Sequence, residues 1–205
     1  MALATYTDIL AAVASWMDRT DLTAVIPDFV ALSESRIARD LRIRKQVSTS
    51  TLTTTAGVQG VTLPTDFLEI ENITLSGTSP PASLAVVTPE ILDRKFPFGY
   101  QTGQPQVYAL IGDSINFGPT PDAAYPVALD YYARFAALSA TPTNWLLTNH
   151  PMVYLAGALC EGWLYLQDAD KVALWDARYR SEVAQLQDAD DSSLRSGSEM
   201  RVRTL

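Results

Sequence analysis

The sequence predicts an α+β protein in which two pairs of helices flank a β-rich insertion, and three observations predict it. Apolar residues recur at helical spacing in the first 45 residues. A stretch rich in Thr and Val, alternating and broken at glycines, follows it. Helical spacing then returns from Pro151. With 205 residues, 47% hydrophobic and 19% charged, the chain can bury a sizeable core and has the composition of a folded protein.

In the first helix, "TYTDILAAVASWMD", Ile9, Leu10, Val13, Trp16 and Met17 fall on one face, with Thr5 or Thr7 as cap. After the break "DLTAVIP", Asp28 is the expected cap of a second helix, "FVALSESRIARDLRIRK". Val30, Ile37 and Leu41 form its apolar face, and Arg36, Arg39, Arg42, Arg44 and Lys45 make it the one strongly basic surface of the chain. These segments, residues 1–45, form the first half of an expected four-helix bundle.

Residues 46–140 read as a β-rich lobe. "QVSTSTLTTTAGVQGVTLP" is expected to be a strand pair turning at Gly57 and Gly60, and "DFLEIENITLSG" a third strand. "TPEILDRKF" is a short helix with Thr88 as cap and Pro89 at its first position. "PQVYALIGDSINFGPTP" is a hairpin over Gly112-Asp113, and "YPVALDYYARF" a further strand. Eight acidic residues against three basic give the lobe a formal charge of −5.

Residues 141–188 carry the second pair of helices. In "NHPMVYLAGALCEGWLYLQDAD", Pro151 suits a first turn. Met152, Leu155, Ala156, Leu159, Trp163 and Leu166 form a wide stripe that Val153, Cys160 and Leu164 extend. A helix apolar nearly all round is buried nearly all round, and Gly157 and Gly162 permit close helix contact. In "KVALWDARYRSEVAQLQ", Val172, Trp175, Tyr179, Val183 and Leu186 mark an amphipathic last helix. Residues 189–205 show no periodicity and are expected to be an extended tail.

The net charge of −8 argues against DNA as a ligand of the whole surface. One cysteine excludes an internal disulfide, and no Cys/His cluster suits zinc. No apolar run reaches the roughly 18 residues of a spanning helix, and the N-terminus does not read as a signal peptide. His150 and Cys160, ten residues apart, would stand about 15 Å apart along one helix, too far for a nucleophile and base. They read as a cap and a buried thiol. Glu161, the lone carboxylate of that helix, is expected to form a structural ion pair with Arg36 or Arg39. "DADDSS" and "QDADK" lack the Gly and closing Glu of a calcium loop. No phosphate-binding, zinc-protease or nucleophile-elbow motif is present. Catalytic, metal and cofactor sites are therefore none. A ligand-binding β module would need exposed aromatics, for which Tyr100, Tyr108 and Tyr125 are the candidates.

The order of segments resembles the head-to-tail adaptor proteins of short-tailed bacteriophages, the group that includes tail tubular protein A. The likeness spans about residues 5–190 and rests on "SESRIARDLRIR", "LPTDFLEIENITL", "TPEILDRKF", "GQPQVYALIGDSINFGPTP", Tyr131-Tyr132 and "LSATPTNWLLTNHPMVYLAGALCEGWLYLQDADKVALWDARY", in that order. A neck or tail-completion protein of another phage class is the alternative.

The resemblance implies a structural virion protein made in the host cytoplasm and placed at the neck between capsid and tail. It implies a homo-oligomeric ring of roughly twelve subunits, joined to the portal above and to a tail nozzle or other tail proteins below. Genomic DNA would pass through without specific binding, and no membrane is involved. It also implies that the tail grips the portal, for which Leu194, Arg195, Met200, Arg201, Val202, Arg203 and Leu205 supply the apolar anchors and positive charge.

Overall fold

The computed structural model describes residues 3–77 and 81–195. The fold is α+β. Its helices are α1 (Tyr6–Met17), α2 (Ile26–Asp40), α3 (Pro89–Lys95), α4 (Trp145–Asn149), α5 (Pro151–Tyr165) and α6 (Ala169–Arg195). The chain divides into two compact units. One is Met1–Arg44 with Phe135–Leu205, and the other is Lys45–Arg134.

In the helical unit α1 starts with a capping box. The Thr5 hydroxyl accepts from the Asp8 N–H while the Asp8 carboxylate accepts from the Thr5 N–H. α2 begins earlier than its sequence suggests. Pro27 lies in the first turn, Val25 holds the cap position without a side-chain bond, and Asp28 sits inside the first turn and does not cap. α2 also ends earlier, at Asp40. Leu41 is extended, and Arg44–Gln46 form a 3-10 turn. Arg42, Arg44 and Lys45 are therefore not on the helix, and its basic face reduces to Arg36 and Arg39. Leu41 and Ile43 are buried, and anchoring two alternate residues demands an extended backbone there.

α5 packs against α1, α2, α4 and α6. Val153 through Cys160 are all buried, with Gly162, which is why the helix carries so few polar residues. A Cβ on Gly157 would lie 2.2 Å from the Ser33 Oγ, and one on Gly162 2.7 Å from the Met17 sulfur. These glycines let α2 and α1 approach the α5 backbone. Leu164, expected on the buried stripe, is 58% exposed. Ile9, Val13, Phe29, Val30, Ile37, Tyr154, Leu159 and Tyr179 belong to one continuous core. α4 lies in a segment without an expected helix. The Asn144 carboxamide caps it by accepting from the Leu147 N–H, and donates to the Tyr154 hydroxyl at 2.8 Å. α6 runs to Arg195, well into the expected tail. Of the tail positions, Met200, Arg201, Val202, Arg203 and Leu205 lie outside the described residues, and Leu194 and Arg195 are described only as backbone of α6.

In the second unit the strands are β1 (Val47–Thr53), β2 (Gly60–Thr62), β3 (Phe67–Leu75), β4 (Ala82–Ser83), β5 (Ala85–Val86), β6 (Thr102–Gly103), β7 (Val107–Ile111), β8 (Ser114–Gly118), β9 (Thr120–Pro121) and β10 (Pro126–Ala133). One sheet has the order β1-β10-β3-β4, another β2-β8-β7-β5, and β6 pairs with β9. The expected pairing of β1 with β2 does not form. β1 pairs with β10 and β2 with β8, in different sheets, because the stretch between them turns the chain from one sheet to the other. The hairpin over Gly112 forms, with Gly112 at φ 58°. α3 starts as its sequence reads, with the Thr88 hydroxyl accepting from Ile91 N–H. Leu52, Val127, Leu129, Tyr131, Ile73 and Leu75 share the inner side of the first sheet, with Ile115 and Phe117 of the second in the same core. The unit boundary falls at Arg134, ahead of the expected 140.

Candidate functional site

Arg36 has several partners in the helical unit. It projects from the third turn of α2, and its side chain is 15% exposed. Its guanidinium bonds the Asp176 carboxylate from α6, sits 3.5 Å from Asp40 and 3.6 Å from the Cys160 sulfur, and lies 4.1 Å over the Tyr179 ring. Burial pushes this guanidinium down, but the hydrogen bond and charge of Asp176 outweigh it and hold it above its ordinary value. Burial, then the charge and hydrogen bond of Asp40, raise the Tyr179 hydroxyl, which donates to Asp40 at 3.1 Å. Asp176 also takes Arg180 at 2.9 Å. The cluster ties α2 to α6 by charge, and the Cys160 thiol of α5 rests against the same guanidinium.

Glu161 is not part of it. Among the described residues no ion pair joins Glu161 to Arg36 or Arg39. The reason is helical phase. Cys160 faces Arg36, and the next residue turns about 100° away around α5, to a half-buried position. Asp176 supplies the carboxylate instead. The sequence does not single it out, because it stands in a charged amphipathic helix, where an acid suggests only solvent. Arg39 has no ion pair among the described residues. With Arg180 and Gln187 it lines a shallow groove between α2 and α6.

Cys160 is 5% exposed and free. Burial raises its thiol, and the opposing pull of Arg36 does not bring it down to its ordinary value, so the group is neither ionised nor accessible. His150 holds the cap position of α5, but its side chain makes no capping bond and leans on Trp145, with ring centroids 5.5 Å apart. Glu34, on α2, accepts from the Leu138 N–H at 2.7 Å, and burial raises its carboxyl. Burial also pushes the Tyr154 hydroxyl up to about 12, despite the Asn144 bond. Among the described residues no His, Cys, Asp and Glu cluster could hold a metal.

The three candidate tyrosines, Tyr100, Tyr108 and Tyr125, do not make a ligand surface. Tyr108 is buried, Tyr125 donates to Asp122 at 2.7 Å, and only Tyr100 stands exposed. The outer side of the first sheet is more distinctive. Register places Val47 beside Tyr132 and Glu69, and Thr49 beside Asp130 and Asn72. Thr49 donates to Asp130 at 2.6 Å. Glu71, at the irregularity in β3, is exposed. This surface is polar and acidic.

The arrangement of the described residues offers packing surfaces and charge. No helix of the described residues is long and apolar enough to cross a membrane. A family model, the SU10 adaptor protein, matches residues 4–203. No individual curated protein matches the chain.

Proposed function

From the premise that the chain belongs to the SU10 adaptor protein family, a family of phage head-to-tail adaptors, we propose that it forms a ring between portal and tail. That membership makes it a structural component of the virion. The observation that carries the reading is the span of the match. Residues 4–203 take in both units and every described helix and strand, so the likeness concerns the whole architecture and no isolated motif.

In this reading the four long helices act as a bundle, the wall of the ring, and repetition of one surface around a closed circle holds it. The chain's charge of −8 suits a conduit for DNA, since an acidic lining repels the polyanion and lets it slide. Residues 194–205, with Arg195, Arg201 and Arg203 against Glu199 and with apolar Leu194, Met200, Val202 and Leu205, contact the portal. Many weak contacts around a ring add up through effective concentration.

The test is electron microscopy and co-sedimentation of the protein with portal rings. Twelvefold or similar rings on portals are expected. A chain ending at Arg195 should melt within about 2 °C of the full chain and lose portal binding. Monomers with and without portal would overturn the adaptor ring. Truncated protein that still decorates portals would overturn the role of the last residues alone.

A further inference from the structure

The β1 edge is unusually open. β1 is the terminal strand of its sheet, seven residues long and paired with β10 without a register shift. The Thr54 N–H donates to the Tyr125 carbonyl. Alternation then turns Ser48, Ser50 and Leu52 toward β10 and leaves the N–H and C=O of Val47, Thr49, Thr51 and Thr53 facing outward. Among the described residues nothing pairs with these groups. Natural sheets guard such edges with charge, proline, a bulge or extreme shortness. β2, β4 and β5, the other terminal strands of the two four-stranded sheets, are two or three residues long. β1 has none of these guards, and "VSTSTLT" holds neither a charge nor a proline. An uncharged, β-branched edge of this kind is an aggregation hazard unless something covers it.

We propose that β1 receives an added antiparallel strand from another polypeptide of the virion, carrying Lys or Arg at alternate positions. Main-chain bonds to Val47, Thr49, Thr51 and Thr53 supply affinity, as in other strand additions. The sides of the sheet supply the choice of partner. On the outer side, Thr49 and Asp130 lie side by side, so a long cation reaching over the small threonine finds the Asp130 carboxylate two strands away. On the inner side, Leu52 lies at the margin of the core, so the intervening residues of the partner are apolar. The chain itself offers no matching strand among its described residues, because its other free edges are too short. The proposal concerns β1 alone and stands whether or not the ring forms.

The probe is a labelled synthetic peptide, Thr-Lys-Val-Lys-Val-Lys-Thr, added to the full-length protein. Amide hydrogen exchange is read at Val47, Thr49, Thr51 and Thr53. In free protein these four should exchange fast and those of Ser50 and Leu52 slowly, and peptide should protect the four. A peptide with Glu in place of Lys should bind at least about tenfold more weakly. Thr51→Pro removes an outward N–H and no bond to β10, so it should cost about tenfold in binding while leaving the melting temperature within about 2 °C. Thr51→Lys, which restores a guard without touching the backbone, should weaken binding in the same direction. The idea fails if the four amides stay unprotected at saturating peptide, or if Lys and Glu peptides bind alike. It fails equally if the amides are protected in the protein alone: concentration-dependent protection would mark a second copy as occupant, and concentration-independent protection the chain's own end.

Discussion

The two units handle charge differently. In the helical unit carboxylates meet cations across and along helices: Asp176 meets Arg36 and Arg180, Asp190 meets Arg44, and Glu182 meets Arg178. In the second unit carboxylates are held by hydroxyls, which leave their charge in place: Thr49 on Asp130, Tyr125 on Asp122, Tyr131 on Asp66. The cores differ too. The helical unit has one continuous core around α5, whereas the second has a main core and a separate small one under α3, with Leu92, Phe96 and Ala109. The helical unit spends its polar groups on internal cohesion. The second holds Asp66, Asp122 and Asp130 with neutral hydroxyl donors.

The sharpest way to break this contrast is to strike the close approach in the helical unit. Gly157→Val should cost about 3 kcal/mol or more, because Ser33 and the α2 backbone behind it cannot yield. Gly60→Ala in the second unit meets only the movable Asn116 carboxamide at 2.8 Å and should cost under about 1 kcal/mol. Urea titration of both variants makes the comparison, and equal losses would erase it.

Next in size is Arg36→Leu. A fully buried ion pair cut from one side costs about 3–5 kcal/mol; with Asp176 26% exposed, about 2–3 kcal/mol is expected. Adding Asp176→Leu should recover part of the loss. If the double variant is no better than the single, the cluster is not held by that pair.

Cys160→Ser should cost about 1 kcal/mol, because the smaller oxygen loosens the packing of the buried sulfur between Arg36 and Val172, and leave assembly intact. The native thiol should resist alkylation at pH 8 until denaturant is added; rapid labelling of folded protein would show it reactive.

The smallest effect has the opposite sign. The Glu34 carboxyl is raised above its ordinary 4.5 in the fold. Its contribution is thus fully favourable below that unfolded value and is lost as pH rises through the folded one. Glu34→Gln keeps an acceptor for the Leu138 N–H without the buried charge. It should raise the melting temperature by about 1–2 °C at pH 7 and by nothing near pH 4. A gain that persists at pH 4 would assign the effect to packing.

Local signals in the sequence were legible where one residue type has one physical use. Of the two cap candidates Thr5 and Thr7 the structure uses Thr5, and Thr88 with Pro89 and Gly112-Asp113 mark the boundaries at which the structure places them. Pairings between distant segments were not. β1 and β2 look like a hairpin because hairpin signals are local, whereas their true partners β10 and β8 lie far along the chain. The ion pair went to the wrong carboxylate for a similar reason. An acid in an apolar helix attracts attention, but helical phase decides which side chain meets Arg36. α4, five residues long, is too short for any period to show, and only the Asn144 cap before it marks its start.

The length of α6 acts as a ruler. Its 27 residues make a rod of about 40 Å, and Arg44 clamps the far end, with its backbone N–H and guanidinium on Asp190 at 2.9 Å and a further bond to Ser193. The departure point of residues 196–205 is thereby fixed to the body of the helical unit. Ten residues span at most about 36 Å, so whatever residues up to Leu205 grasp must lie within that radius of Arg195. A crosslinker placed at Leu205 should mark partner residues inside this sphere and none beyond it.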